Sequence, residues 1–225
     1  MAHATGFDLL IFDCDGVLVD SEPLVNQIYA DMLAELGYAV DYEESLHEFA
    51  GAAMSTRLQV LSQRLGWSPS PDFANQFAAR QSVVFTEKLR PVTGIDMLIA
   101  GLSTPFCVAS NGNREEIVFR LQTCGLLHHF QNAIFSGTET PRPKPYPDVF
   151  LAAATAFNVE PRRCVVIEDS VTGVTAAVRA GMHVFGHAVH TSASLLRDAG
   201  AVPFTSMSEL AGLLQHPGET RPSDH

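Results

Sequence analysis

The chain has 225 residues, 46% of them hydrophobic and 17% charged, which supplies a sizeable core and argues against disorder. Its formal charge of −11 argues against non-specific binding to DNA, RNA or an anionic membrane. The same charge leaves room for a small anionic substrate, because a metal ion and a few placed cations can reverse the sign locally.

The N-terminal residues Met1 to Gly6 lack the basic and apolar regions of a signal peptide. No apolar run approaches the ~20 residues needed to span a membrane. The four cysteines, Cys14, Cys107, Cys124 and Cys164, form no CxxC or Cys/His metal spacing and read as small core residues. A soluble protein of a reducing cytoplasm is expected. The first element is the apolar run that begins at Phe7 and ends in Asp13-Cys14-Asp15-Gly16. It reads as a buried strand bounded by a glycine that lets the chain turn. Alternate residues of an extended segment share a face, so Asp13 and Asp15 are expected on one side where the strand leaves the sheet. Two such carboxylates repel unless a cation or a proton intervenes. They point to a metal site, or to one carboxyl kept protonated for catalysis.

Helical spacing follows at Val25, Ile28, Tyr29, Met32, Leu33 and Leu36, with Gly37 as the stop. Further helices are predicted over Tyr42 to Phe49, Ser55 to Leu65 and Asp72 to Phe85. No strand signal interrupts this stretch, which reads as a helical unit. Alternation then begins: a strand at Pro105 to Ser110, a helix from Asn113 to Cys124 with a capping box at Asn113 and Glu116, and a strand at Ala133 to Phe135. A helix is predicted from Pro147 to Phe157, a strand at Cys164 to Ile167 and a helix at Thr172 to Ala180 closed by Gly181. A strand at His183 to Phe185 and a helix at Met207 to Leu214 complete the set. The polar tail from His216 to His225 is expected to fray.

Alternating strands and helices imply a Rossmann-like parallel sheet covered on both faces, with ligands bound outside the carboxyl ends of the strands. The helical unit interrupts that pattern just after the first strand. It is therefore expected to be an inserted α-helical cap over the ligand end. The expected division is a core of residues 1–20 and 88–225 with a cap of residues 21–87. The connections Val17 to Glu22 and Glu87 to Val92 are candidate hinges.

Polar clusters recur at the strand ends: Asp13-Cys14-Asp15-Gly16, Ser110-Asn111-Gly112, Arg142-Pro143-Lys144-Pro145-Tyr146-Pro147-Asp148, and Glu168-Asp169-Ser170. Lys144 is one of two lysines in the chain, with Lys88. A carboxylate pair, a hydroxyl on a flexible turn, a lysine and a second acidic pair would converge on one site. In this order the fragments DCDGVLVDSEP, ASNG, RPKPYPD and VIEDS resemble the haloacid dehalogenase-like superfamily. The resemblance is closest to its sugar-phosphate phosphatase and β-phosphoglucomutase-like branch, and it covers nearly the whole chain.

The resemblance implies that Asp13 is the nucleophile that becomes an aspartyl phosphate. It implies Mg²⁺ held by carboxylates of Asp13 and Asp169 and by the backbone carbonyl of Asp15. The Asp15 side chain would be general acid and then general base. Ser110 and the backbone around Asn111 would cradle the phosphoryl group, and Lys144 would neutralise charge. Glu168 would touch the metal or, as favoured, hold water and Lys144. Asn111 as a turn residue and Ser170 as a helix N-cap are the structural alternatives. Asp20 reads as a hinge or cap residue, and the nine scattered histidines show no metal-ligand spacing such as HExxH.

Dehalogenases of the family lack the second aspartate, so Asp15 argues for phosphoryl chemistry. Mutase relatives carry a histidine that falls near Val25 here and an arginine that falls near Met54, with Arg57 close by. Those departures favour a phosphatase over a mutase. A non-catalytic phosphate-binding regulator of the same fold should have lost Asp13, Asp15 or Lys144, and all three are present. Specificity is expected from the cap, through residues of Gly51 to Arg57 and through Glu22 near the hinge. The implied substrate is a small phosphorylated sugar or sugar acid, of the 6-phosphogluconate kind.

Overall fold

The computed structural model describes residues 6–38, 54–66, 68–131 and 133–215. The helix expected over Tyr42 to Phe49 and the tail from His216 lie outside those residues. Six parallel strands form one sheet in the order β3-β2-β1-β4-β5-β6. They are β1 (Leu9–Phe12), β2 (Phe106–Ser110), β3 (Ile134–Ser136), β4 (Cys164–Glu168), β5 (His183–His187) and β6 (Val202–Phe204). In β1 all four residues are buried, as a central strand covered on both faces requires.

Period-two alternation divides the core into two layers. Leu10 and Phe12 of β1, Val108, Ile167 and Phe185 face one cluster. Leu9, Ile11, Cys107, Val166 and Val184 face the other. The first layer is covered by α4 (Ile95–Gly101), α5 (Arg114–Thr123), α6 (Leu127–Phe130) and α10 (Met207–Gln215). The second is covered by α7 (Asp148–Ala156), α8 (Val171–Arg179) and α9 (Ala193–Asp198). This is the expected parallel sheet with helices on both faces.

Among the described residues, three helices stand between β1 and α4 without a strand: α1 (Glu22–Glu35), α2 (Met54–Leu65) and α3 (Phe73–Lys88). Their own cluster contains Ile28, Tyr29, Met32, Leu33, Phe73 and Phe77. Tyr29 and Phe77 pack with ring centroids 4.4 Å apart. Gly37 ends α1 in the left-handed conformation, φ 86°. The two connections to this unit run side by side: Asp20 N–H donates to Arg90 O at 2.9 Å, and Val92 N–H donates to Leu18 O at 3.0 Å.

Four elements differ from the sequence expectation. α4, α6 and α9 are short helices of seven, four and six residues, below the length at which periodicity is readable. β6 is a three-residue edge strand carrying Pro203. Proline removes a ladder donor, and an edge strand tolerates that loss.

Candidate active site

The four clusters meet at the carboxyl ends of β1, β2 and β4, beneath the inserted helices. A cavity of about 460 Å³ there is lined by Asp13, Asp15, Ser110, Asn111, Lys144, Glu168 and Asp169 from the sheet side. Glu22, Val25, Tyr29, Phe77 and Gln81 line it from the helical side. Of the two cap residues expected from sequence, Glu22 is therefore at the cavity. Arg57 lies in α2 with its side chain outside the described residues.

The strand β1 ends at Phe12, so Asp13 and Asp15 are brought together by a turn and not by strand alternation. Asp13 N–H still donates to Ile167 O of β4 at 2.9 Å. The loop then folds on itself: Cys14 O accepts from Leu18 and Val19, and Gly16 N–H donates to Val19 O at 2.8 Å. Gly16 has φ 71°, and a Cβ built there would lie 1.9 Å from Asp169 Oδ2. Only glycine lets this loop pass so close to the second acidic cluster. On its other side the Gly16 carbonyl accepts from His187 Nδ1 at 2.8 Å, which fixes the proton on that nitrogen. His187 is thus a loop support that sequence spacing did not reveal.

Lys144 is buried and donates to Asp13 Oδ1 at 2.5 Å, to Glu168 Oε1 at 2.7 Å and to Ala109 O at 3.0 Å. Its backbone is pinned by Asn111, whose Oδ1 accepts from Lys144 N–H at 2.8 Å and whose Nδ2 donates to Lys144 O at 3.3 Å. The Asn111 side chain therefore positions the lysine segment, which is more specific than the turn role open to it in the sequence. Ser110 Oγ accepts from Gly112 N–H at 3.2 Å across the turn after β2.

Glu168 has both oxygens engaged. Besides Lys144 on Oε1, its Oε2 accepts from Asp169 N–H, Ser170 N–H and Ser170 Oγ, each at 2.9 Å. That set suits a residue that holds Lys144 and the loop after β4, the favoured alternative of the two raised by the sequence. Ser170 also caps α8, accepting from Gly173 N–H at 3.0 Å.

Asp15 is held by two residues that the sequence reading passed over. Ser21 Oγ donates to Asp15 Oδ1 at 2.8 Å, and Arg120 Nη1 lies 3.1 Å from Asp15 Oδ2. Ser21 precedes α1 and would be read as an N-cap, yet its side chain makes no cap bond. Arg120 did leave a signal: it shares the buried stripe of α5 with Ile117 and Leu121, and a charge on such a stripe requires a buried partner. Outside the cavity, Asp20 meets His190 Nε2 at 3.3 Å, tying the first connection to the segment after β5.

Charge at the site is unbalanced. Asp13, Asp15, Glu22, Glu168 and Asp169 face Lys144 and Arg120. Burial pushes Asp13 up to about 7, assisted by Glu168 and Asp15 and opposed by Lys144. One lysine shared by two buried carboxylates does not offset the burial of Asp13. The same two carboxylates overcome the effect of burial on Lys144 and raise it, so it stays charged. Burial, then the charges of Glu168, Glu22, Asp13 and Asp15, push Asp169 well above the ordinary range. An excess of buried oxygen donors fits a hard divalent cation, which would lower all of these. No group of three or more His, Cys, Asp or Glu side chains among the described residues is placed to hold a metal unaided. A cation here would need a backbone carbonyl and solvent or substrate oxygens as well, which is how Mg²⁺ is commonly held.

Residues 7–181 match the family described as haloacid dehalogenase-like hydrolase. The chain is 30% identical over 207 residues to a 6-phosphogluconate phosphatase of Escherichia coli strain K12, covering 92% of this chain and 94% of that one. It is 31% identical over 216 residues to a phosphorylated carbohydrates phosphatase of Thermotoga maritima, covering 92% and 98%. Among solved structures, a haloacid dehalogenase-like protein of unknown function from Agrobacterium tumefaciens superposes with a TM-score of 0.85 at 35% identity, covering 92% of this chain and 97% of that chain. No helix among the described residues is long and apolar enough to cross a membrane. With a matched family over most of its length and phosphatases among its full-length relatives, the chain belongs to the haloacid dehalogenase-like hydrolases and is a phosphomonoester hydrolase.

Proposed function

We propose that the enzyme hydrolyses a small phosphorylated sugar or sugar acid, of the 6-phosphogluconate class, through an aspartyl phosphate on Asp13 and with Mg²⁺ as cofactor. The observation that carries the reading is the buried Lys144 bridging Asp13 and Glu168 in a cavity of about 460 Å³. The two phosphatase relatives act, by their names, on phosphorylated carbohydrates or a phosphorylated sugar acid, which supports the substrate class.

In this reading Asp13 attacks phosphorus, a bond forms between its carboxylate oxygen and phosphorus, and the bond to the substrate oxygen breaks. Asp15 delivers a proton to that leaving oxygen. It then takes a proton from the water that attacks phosphorus and frees Asp13. Lys144 holds Asp13 and offsets the growing negative charge, while Ser110 and the backbone after it bind the phosphoryl oxygens. The carboxylates of Asp13 and Asp169 and the carbonyl of Asp15 would hold Mg²⁺. That ion would neutralise phosphoryl charge and orient its oxygens. The cap of residues 21–87 would select the leaving group through Glu22 and Arg57.

A mutase is the second reading, and Val25 weighs against it. It lines the cavity where the glucomutase pattern has a histidine, and it offers no polar atom to a sugar hydroxyl. A panel of phosphorylated sugars, read for both free phosphate and isomerised product, tests the assignment. Free phosphate should appear and should stop with EDTA or Asp13→Asn. Undiminished turnover under either condition would overturn the mechanism, and an isomerised product without phosphate release would select the mutase.

A further inference from the structure

The ion pair between the buried Arg120 and the half-buried Asp15 is unusual for what it costs. Arg120 is 8% exposed on the core-facing stripe of α5, between Ile117 and Leu121, where an apolar side chain would serve packing better. Its guanidinium carbon sits 5.8 Å from the centre of the Phe85 ring, on the last turns of α3. Gly112 gives it space, since a Cβ there would lie 3.0 Å from Arg120 Nη1. Its second nitrogen, Nη2, is 3.8 Å from Glu116 Oε2, one helical turn back. The guanidinium is therefore fixed by an aromatic ring, a glycine and a helical neighbour, with Nη1 left to meet Asp15 Oδ2.

Ser21 holds the other oxygen of Asp15 from the connection to the cap, whereas Arg120 holds its oxygen from the core. We propose that Arg120 is the positioning residue of the phosphatase reaction that aims the Asp15 carboxyl at the leaving oxygen of the substrate. The inference rests on the reading of Asp15 as the group that protonates that oxygen. Asp15 lies in the loop between β1 and α1, just before Gly16, so neither β1 nor a helix sets its side-chain direction. A planar guanidinium that is itself immobile supplies that direction. Proton delivery accompanies rupture of the bond between phosphorus and the leaving oxygen, so its geometry matters most for an alkoxide and least for a leaving group that departs without a proton.

The test compares kcat/KM for 6-phosphogluconate, an alkyl phosphate, and for p-nitrophenyl phosphate, whose phenolate leaves unprotonated. This parameter stops at departure of the leaving group and does not report the later hydrolysis of the intermediate. Arg120→Met should lose about 10²-fold on the alkyl substrate and at least about tenfold less on the aryl one, through kcat more than KM. Arg120→Lys, which keeps the charge and folds if Met does not, should show the same preference with a smaller loss. Asp15→Asn is the reference and should show the preference most strongly. Equal losses on both substrates, or no loss, for the Arg120 variants while Asp15→Asn remains selective would overturn the role of Arg120. A non-selective Asp15→Asn would overturn the reading of Asp15 itself, and the proposal with it.

Discussion

Replacing Lys144 by methionine separates the structural from the chemical role of the charged floor. The lysine is buried, and its three hydrogen bonds end on Asp13, Glu168 and the Ala109 carbonyl. Removing one partner of a buried ion pair costs about 3–5 kcal/mol, because the remaining charge is left uncompensated. For a chain of this length that corresponds to a melting temperature lower by about 6–20 °C. Asp13 already binds its proton more tightly in the folded protein, about 7, than in an unfolded chain, about 3.9. Its contribution to stability is therefore fully present below the unfolded value and is lost as pH rises through about 7. Loss of the lysine removes the charge that holds Asp13 down, so its affinity for the proton rises and the window extends upward. In urea titrations of EDTA-treated protein, the penalty for Lys144→Met should be larger at pH 8 than at pH 5. Adding Glu168→Gln should recover part of it, since one of the two stranded carboxylates is then neutral. An unchanged midpoint for Lys144→Met at both pH values would refute the idea that this lysine offsets buried charge.

Two further outcomes follow from the loop contacts. Gly16→Ala places a methyl against Asp169 in a left-handed conformation that costs about 1–2 kcal/mol, and the displaced loop should lower phosphate release about 10²-fold; circular dichroism should show the fold retained. Asp169→Asn removes a carboxylate raised by burial and by its acidic neighbours, so the metal-free variant should be more stable than wild type at pH 8. The same variant should need at least about tenfold more Mg²⁺ for the thermal shift that the metal produces.

The order of strands and helices was readable because most elements carry their own local signal. Asn113 and Glu116 form the expected capping box, with Asn113 Oδ1 accepting from Glu116 N–H at 2.9 Å. The helix from Pro147 and the stop at Gly37 likewise fall within a residue or two of their predicted places. Elements without a strong local signal exist through tertiary contact: α4, α6 and α9 are too short to show a period, and β6 pairs only at the sheet edge. The site was legible as four clusters whose chemistry is unusual at strand ends. Its supports were less so. Ser21 looks like a cap, His187 like one more scattered histidine, and Arg120 belongs to a helix whose partner, Asp15, is 105 residues away in sequence. Each is recognisable only once folding has brought the distant loops together.

The central claim is that Asp13 carries the phosphoryl group during turnover. Borohydride reduction of enzyme quenched while hydrolysing substrate, followed by peptide mass spectrometry, tests it most directly, because an aspartyl phosphate is reduced to homoserine. Homoserine at position 13, dependent on substrate and Mg²⁺ and confined to that position, is the predicted result. Reduction at another carboxylate, or an unmodified Asp13 in an enzyme shown to be turning over, would contradict the account.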